Sequence, residues 1–161
     1  VILKNETSKI EKFDFVVSPQ WRCQQFASIL CELNNKEFSK CIFEEKLREH
    51  SFGLWEGKTE EEIENVFPGF LQKRYKPENY WSYIVPKGES YELLYNRVGE
   101  VVDKYREKNI VFICHEMVSK VMRGYVLKLK PDEILPLKHK QNIVYRIDDG
   151  KLEAIKVENP K

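Results

Sequence analysis

Three side chains with the chemistry to handle a phosphate group lie where this sequence passes from one predicted element to the next. His115 follows the apolar run at residues 110–114, Arg22 follows the Ser18-Pro19 step, and Glu49 lies in a polar loop. An arginine beside a helix amino terminus can hold an anion, and a carboxylic acid can protonate a leaving oxygen. Histidine can act as nucleophile, proton shuttle or charge stabiliser. These residue types favour phosphoryl chemistry.

Each of the three also has an ordinary structural interpretation. Arg22 could be a surface helix residue, Glu49 a solvated neighbour of His50, and His115 a hydrogen-bonded core histidine. The residues alone leave these alternatives open. We expect no metal site, because His50 and His139 have no partner at metal-ligand spacing, and we predict no cofactor. The sequence has no Gly-rich phosphate loop and no nucleophile elbow.

The elements that must position these residues are short strands alternating with helices. Residues 13–17 form a β-rich run that Ser18-Pro19 ends, since proline cannot donate to a strand ladder. Helical spacing predicts a helix over residues 20–33, with Ser18 as its cap. The apolar positions that define this helix are Trp21, Phe26, Ile29, Leu30 and Leu33. Residues 38–47 are predicted to be a second extended segment.

The rest of the chain continues the alternation. Thr59 to Glu62 has the form of a capping box, and a strongly periodic helix begins at Ser90. The segment at residues 109–117, NIVFICHEM, is predicted to be a buried strand that delivers His115, and a helix follows it. Two alternating runs, at residues 141–147 and 152–157, flank an Asp-Asp-Gly step that is typical of a hairpin.

This pattern predicts an α/β fold made of one domain over residues 1–161. We expect a three-layer α/β/α arrangement with a mostly parallel sheet and an antiparallel edge strand. The carboxyl ends of parallel strands meet at one edge of a sheet, which is where such folds bind ligands. Arg22, Glu49 and His115 would therefore lie together at that edge.

The composition restricts the partners and the compartment. The 161 residues are 42% hydrophobic and 33% charged, and 27 basic against 26 acidic side chains leave a net charge of +1. This balance predicts no nucleic-acid partner and no membrane partner. The apolar runs are too short to span a bilayer, so we expect a cytoplasmic protein. The four cysteines have irregular spacing and are predicted to be reduced thiols.

Four motifs in order resemble the histidine phosphatase superfamily, also called the phosphoglycerate mutase-like family. Residues 18–27, SPQWRCQQFA, resemble its S-P-x-x-R-A-x-Q-T-A segment, and residues 47–57, LREHSFGLWEG, are similar to its L-x-E-x-x-F-G-x-W-E-G loop. Residues 86–90, PKGES, with Arg97 resemble P-x-G-E-S followed by R-V. The Ile113-Cys114-His115 step looks like the V-S-H that carries the second active-site histidine.

The resemblance implies a mechanism in which a histidine attacks a phosphomonoester and becomes phosphorylated, after which water or a second substrate discharges it. By position, Arg22 would hold the phosphate, Glu49 would be the general acid and then base, and His115 would be the second histidine that contacts the phosphoryl group. Lys120 falls where the family often has arginine, and we assign no role to it. The implied partner is a small phosphorylated substrate, turned over by a phosphatase or a mutase.

Two departures from the family pattern keep a second hypothesis open. The family's first strand ends in Arg-His-Gly, which holds the nucleophile, and no such triplet occurs in this sequence. His115 is followed by Glu116 where glycine is usual, which places a carboxylate beside a pocket for dianions. Because the chain begins with Val1, we favour an enzyme whose nucleophile precedes this sequence. The alternative is a catalytically dead pseudo-phosphatase that acts as a binding or regulatory module.

Two further expectations concern partners. The aromatic and basic stretch from Arg74 to Trp81 offers a third hypothesis, a surface that binds a protein or a nucleic acid. The wider segment at residues 70–85 is predicted to be either a lid or an irregular packed loop. The strand that delivers His115 would have an open edge without the family's first strand. We predict that residues 1–3 or a strand from a neighbouring copy, as in a homodimer, fill that edge.

Overall fold

A computed structural model of the chain describes residues 12–140, 142–148 and 151–156. Its backbone divides into two compact units: residues 50–97 form one, and the remaining residues form the other. The five strands of the described residues lie outside residues 50–97, and the unit at residues 50–97 is built from short helices and turns. None of the described helices is long and apolar enough to cross a membrane.

The strands form one parallel sheet and one antiparallel pair, which confirms the mixed α/β class predicted from sequence. β1 (Asp14–Val17) lies between β2 (Ile42–Phe43) and β3 (Ile110–Ile113) and is parallel to both. β4 (Ile143–Asp148) and β5 (Lys151–Lys156) pair antiparallel as a separate two-stranded sheet, as the hairpin signal indicates. The hairpin tip at residues 149–150 lies outside the described residues.

Six helices complete the described chain. In the strand-bearing unit, α1 (Trp21–Leu33) follows β1, α5 (Glu116–Leu127) follows β3, and α6 (Pro131–Ile134) is a short turn of helix. In the other unit, α2 (Glu60–Val66) and α3 (Phe70–Arg74) lie between loops, and α4 (Tyr91–Lys104) begins there and continues past the division at residue 97. The predicted second extended segment is mostly single turns of 3₁₀-helix around the two residues of β2.

One hydrophobic cluster of the strand-bearing unit lies between α1 and the parallel sheet. Its buried members are Phe15, Val17, Cys23, Ala27, Leu30, Cys31 and Ile113. The helix therefore buries its small residues, whereas Trp21 is 75% exposed and Leu33 59% exposed. The helical spacing of the larger apolar residues predicts that Trp21, Phe26, Ile29, Leu30 and Leu33 form the buried face. Of these five residues only Leu30 is buried. Small side chains let the helix backbone approach the sheet more closely, so their face makes the contact.

β3 is less buried than its apolar composition predicts. Ile113 is buried, but residues 110–112 are only half-buried. Among the described residues β3 pairs with β1 on one side and with no strand on the other. The expectation that residues 1–3 fill this edge concerns a segment outside the described residues, and the homodimer stays a prediction.

In the smaller unit, two loops cross at Gly53 and Gly88. A Cβ atom on Gly53, whose φ is +52°, would lie 2.3 Å from the Pro86 carbonyl oxygen, and one on Gly88 would lie 2.6 Å from that of Ser51. The crossing also places the Leu54 N–H 2.9 Å from the Pro86 carbonyl. Glycine is needed at both positions because the backbones touch. This contact explains why the LREHSFGLWEG motif has a glycine at position 53 and the PKGES motif has one at position 88.

A salt bridge reinforces this crossing. Arg97 donates to both carboxylate oxygens of Glu89, at 2.9 and 2.7 Å, and the Ser51 N–H donates to the same group. Burial raises the pKa of Glu89, but these hydrogen bonds outweigh burial and hold the pKa below its usual value. The carboxylate is therefore charged at neutral pH and fixes the PKGES turn.

The aromatic and basic segment surrounds a buried arginine. Arg74 is 3% exposed, and its guanidinium carbon lies within 5.9 Å of four ring centroids, those of Phe52, Trp55, Tyr80 and Tyr91. Such contacts favour a desolvated cation over aromatic faces. Arg74 therefore belongs to the interior of this unit and is not exposed for a macromolecular partner.

Candidate active site

The register of the parallel sheet brings His115 next to the start of α1. Val17 of β1 pairs with Ile113 of β3, so the residues that follow both strands leave the sheet at the same edge. The Ser18 N–H donates to the Ile113 carbonyl at 2.9 Å and continues the ladder by one residue. His115 then occupies the N-cap position of α5, and the residue is 7% exposed.

The His115 imidazole is held on both ring nitrogens. The Arg22 Nε–H donates to Nδ1 at 3.0 Å, and the Ser18 hydroxyl lies 2.8 Å from Nε2. Because arginine can only donate, Nδ1 carries no proton in this arrangement. A neutral imidazole then carries its proton on Nε2 and donates it to the Ser18 oxygen.

The Glu49 side chain also contacts the start of α5. Its carboxylate accepts from the backbone N–H of Met117, in the first turn of α5, at 3.4 Å. Its own backbone N–H donates to the Gln20 side-chain oxygen at 2.9 Å, and Arg22 donates to that oxygen at 3.3 Å. Gln20 thus joins the loop that carries Glu49 to the helix that carries Arg22.

The structure therefore brings together the three side chains selected from sequence, at the carboxyl edge of the parallel sheet. Arg22 supplies a guanidinium, His115 an imidazole and Glu49 a carboxylate. The amino end of α5 adds backbone N–H groups and the positive end of a helix dipole. A cation, a helix amino terminus and a potential proton donor together can bind an anionic group and handle its protons.

Sequence reasoning missed three residues of this site. Ser18 is predicted to cap α1, but the N-cap position is Gln20. The Ser18 hydroxyl accepts from the Gln20 N–H at 3.4 Å and also bonds to His115. Gln20 carried no signal, because its role depends on two distant segments. The Cys23 sulfur lies 3.5 Å from His115 Nε2, and burial raises the pKa of this thiol. The parallel register alone would have placed Ser18 beside His115.

Glu116, the residue that departs from the family pattern, forms an ion pair within α5. Its carboxylate lies 2.7 Å from the Lys120 ammonium group, one turn further along the helix. The hydrogen bond from Lys120 holds the pKa of Glu116 below its usual value. Across the described ranges, no three His, Cys, Asp or Glu side chains are grouped as ligands for a metal ion.

The fold and the candidate site define an α/β protein with a guanidinium, an imidazole and a carboxylate at one edge of a parallel sheet. Comparisons with known proteins identify its family. The model of the histidine phosphatase superfamily (branch 1) matches residues 3–158. The chain belongs to this superfamily, as the motifs predicted.

Sequence relatives include 6-phosphofructo-2-kinase/fructose-2,6-bisphosphatase 4 of Rattus norvegicus. It is 34% identical to this chain over 93 residues, which are 57% of this chain and 19% of the rat protein. The match thus spans about a fifth of that relative's length.

Solved structures of phosphatases share the fold. The α-ribazole phosphatase of Shigella flexneri superimposes with a TM-score of 0.71 at 14% identity, over 99% of this chain and 84% of that one. A mycobacterial glucosyl-3-phosphoglycerate phosphatase gives a TM-score of 0.66 at 20% identity, over 98% of this chain and 81% of the other. At these identities the likeness establishes the fold.

Proposed function

We propose that this chain carries most of the active site of a phosphomonoester phosphatase that works through a phosphohistidine intermediate. A mutase that passes the phosphoryl group to a second substrate would use the same site. The observation that supports the proposal is the hydrogen bond from Arg22 to His115 beside the Glu49 carboxylate. Because the 161 residues contain no Arg-His-Gly triplet, the proposal requires a nucleophilic histidine from outside them.

In the proposed reaction, a nitrogen of that histidine attacks phosphorus as the ester P–O bond breaks. Arg22 holds the phosphoryl oxygens, and His115 contacts them as charge shifts in the transition state. Glu49, as the acid, gives its proton to the leaving alkoxide. The resulting carboxylate then takes a proton from water, whose oxygen attacks phosphorus and breaks the P–N bond, releasing inorganic phosphate.

The test begins with the protein encoded together with its upstream sequence, assayed against an aryl phosphate. We expect turnover and an acid-labile phosphoenzyme in rapid-quench experiments. Replacing Glu49→Gln should lower kcat by about 10²- to 10⁴-fold, since it removes the proton donor. The matched control is Glu45→Gln, an exposed glutamate of the preceding turn that pairs with Arg48.

The alternative is a pseudo-phosphatase that keeps the anion site without catalysis. The missing triplet and the Glu116 carboxylate favour it. A full-length protein that binds inorganic phosphate but shows neither turnover nor a phosphoenzyme would establish this alternative and exclude the enzyme. Turnover by the 161-residue chain by itself would exclude the proposed external nucleophile.

A further inference from the structure

Glu116 is the first residue of α5, between two residues that contribute to the candidate site. It follows His115 directly and precedes Met117, whose backbone N–H donates to the Glu49 carboxylate. The charges that act on the half-buried His139 include both Glu116 and Glu49, so the two carboxylates lie near the same imidazole. Glu116 therefore lies in the first turn of α5, directly after His115.

The Glu116 carboxylate offsets the positive charge of Lys120, one turn further along α5. Lys120 has a side chain only 14% exposed, and its ammonium group is 2.7 Å from Glu116, whose side chain is 54% exposed. The hydrogen bond and charge of Lys120 lower the pKa of Glu116, so the carboxylate is ionised at neutral pH. The exposed member of the pair is the negative one, and the positive member lies beneath it.

Besides Lys120, the basic groups that act on Glu116 are His139 and Arg123. Arg123 is 4% exposed, and its guanidinium donates to the carbonyls of Ser119 and Lys138 and lies 3.9 Å from the Tyr145 ring centroid. Burial lowers the pKa of His139, which favours its neutral form. The exposed charge next to His115 on α5 is therefore negative.

We propose that Glu116 determines substrate specificity. It favours phosphomonoesters whose alcohol part carries an ammonium or other hydrogen-bond donor and disfavours those with a second phosphate. A carboxylate accepts hydrogen bonds and attracts a cation, whereas a second phosphate dianion beside it is repelled. This inference rests on the proposed phosphate site and names the class of substrate that the site accepts.

The test uses three compounds with the same three-carbon chain: 3-aminopropyl phosphate, 3-hydroxypropyl phosphate and propane-1,3-diyl bisphosphate. In the full-length protein we expect kcat/KM to fall in that order. Glu116→Gln should raise the ratio of bisphosphate to aminopropyl phosphate by about tenfold, because it removes the carboxylate and releases Lys120. Lys120→Met should move this ratio the opposite way. Glu37→Gln, which breaks an exposed Glu–Lys pair elsewhere, should leave the ratio unchanged.

Dissociation constants for the same compounds, measured by calorimetry, separate this inference from the proposed function. A protein without turnover whose binding ratios still shift in Glu116→Gln would reject the phosphatase and support Glu116 as the specificity residue. Equal changes for all three compounds in Glu116→Gln would show a merely structural pair and overturn the inference. Failure of all three compounds to bind would overturn it as well.

Discussion

The Nε atom of Arg22 lies 3.0 Å from the Nδ1 atom of His115, although 93 positions separate the two residues in the sequence. This hydrogen bond joins the first turn of α1 to the residue that caps α5. It sets the orientation of the imidazole ring and places a guanidinium at the same sheet edge.

The first prediction concerns the tautomer of His115. Because Nδ1 accepts from Arg22, the neutral ring should carry its proton on Nε2. Imidazole ¹⁵N chemical shifts of the unliganded protein measure this directly. In Arg22→Ala the preference for this tautomer should weaken, whereas Arg106→Ala, which removes an exposed arginine paired with Asp103, should not change it. A proton on Nδ1 in the unsubstituted protein would contradict the observed hydrogen bonding.

The second prediction concerns Ser18, which is fully buried and lies 2.8 Å from His115 Nε2. Replacing Ser18→Ala removes the oxygen acceptor of a buried N–H and leaves only the weaker Cys23 sulfur at 3.5 Å, which should lower the free energy of unfolding by about 1–2 kcal/mol. Chemical denaturation measures the change. The control is Ser39→Ala at an exposed position, where we expect less than about 0.5 kcal/mol. Equal effects of the two substitutions would show that the hydroxyl does not stabilise the site.

The third prediction concerns the contact between α5 and α6. A Cβ atom on Gly124 would lie 2.4 Å from Cγ1 of Ile134, which is fully buried. Gly124→Ala should destabilise the protein by about 1–3 kcal/mol through overpacking, even though alanine favours the helix by about 1 kcal/mol.

A double-mutant cycle separates this clash from other causes. Ile134→Ala removes the atoms that the new Cβ would meet, so the double variant should lose at least about 1 kcal/mol less than the sum of the two single variants. Additive losses would mean that the two positions do not interact.

The fourth prediction concerns His50, which is 4% exposed and contacts the rings of Phe52 and Tyr91. Burial lowers the pKa of His50 to about 4 from the ordinary 6.5. The folded protein therefore binds fewer protons than the unfolded chain between these pH values. The stability contributed by neutral His50 is complete above pH 6.5 and is lost as the pH falls toward 4, by up to about 3 kcal/mol.

Denaturation curves between pH 4 and 7 test this dependence. Glu89 contributes a loss of the same sign, since its pKa is also below its usual value. His50→Gln should therefore make the fall in unfolding free energy with acid shallower without abolishing it. An unchanged slope in the variant would contradict a neutral buried His50.

The order of the elements and the candidate residues were readable from the sequence, because both depend on local patterns. The capping box at Thr59 forms with both of its hydrogen bonds, and β4 and β5 form the predicted hairpin strands. Arg22 and His115 follow predicted strands, and parallel strands that end together place the following residues together. Glu49 was a candidate from its residue type and loop position, and its role as acid and base is what the motif resemblance implies.

Tertiary structure alone decided which faces and atoms meet. The apolar pattern of α1 has large residues on one face and small ones on another, and the sheet packs against Cys23, Ala27 and Leu30. Nothing local indicates this choice, because it depends on how closely β1 and β3 allow the helix to approach. Likewise, nothing local indicates that the Ser18 hydroxyl bonds to His115, because the two residues are 97 positions apart. The sequence by itself determined which chemical groups reach the sheet edge, and long-range packing determined their hydrogen bonds.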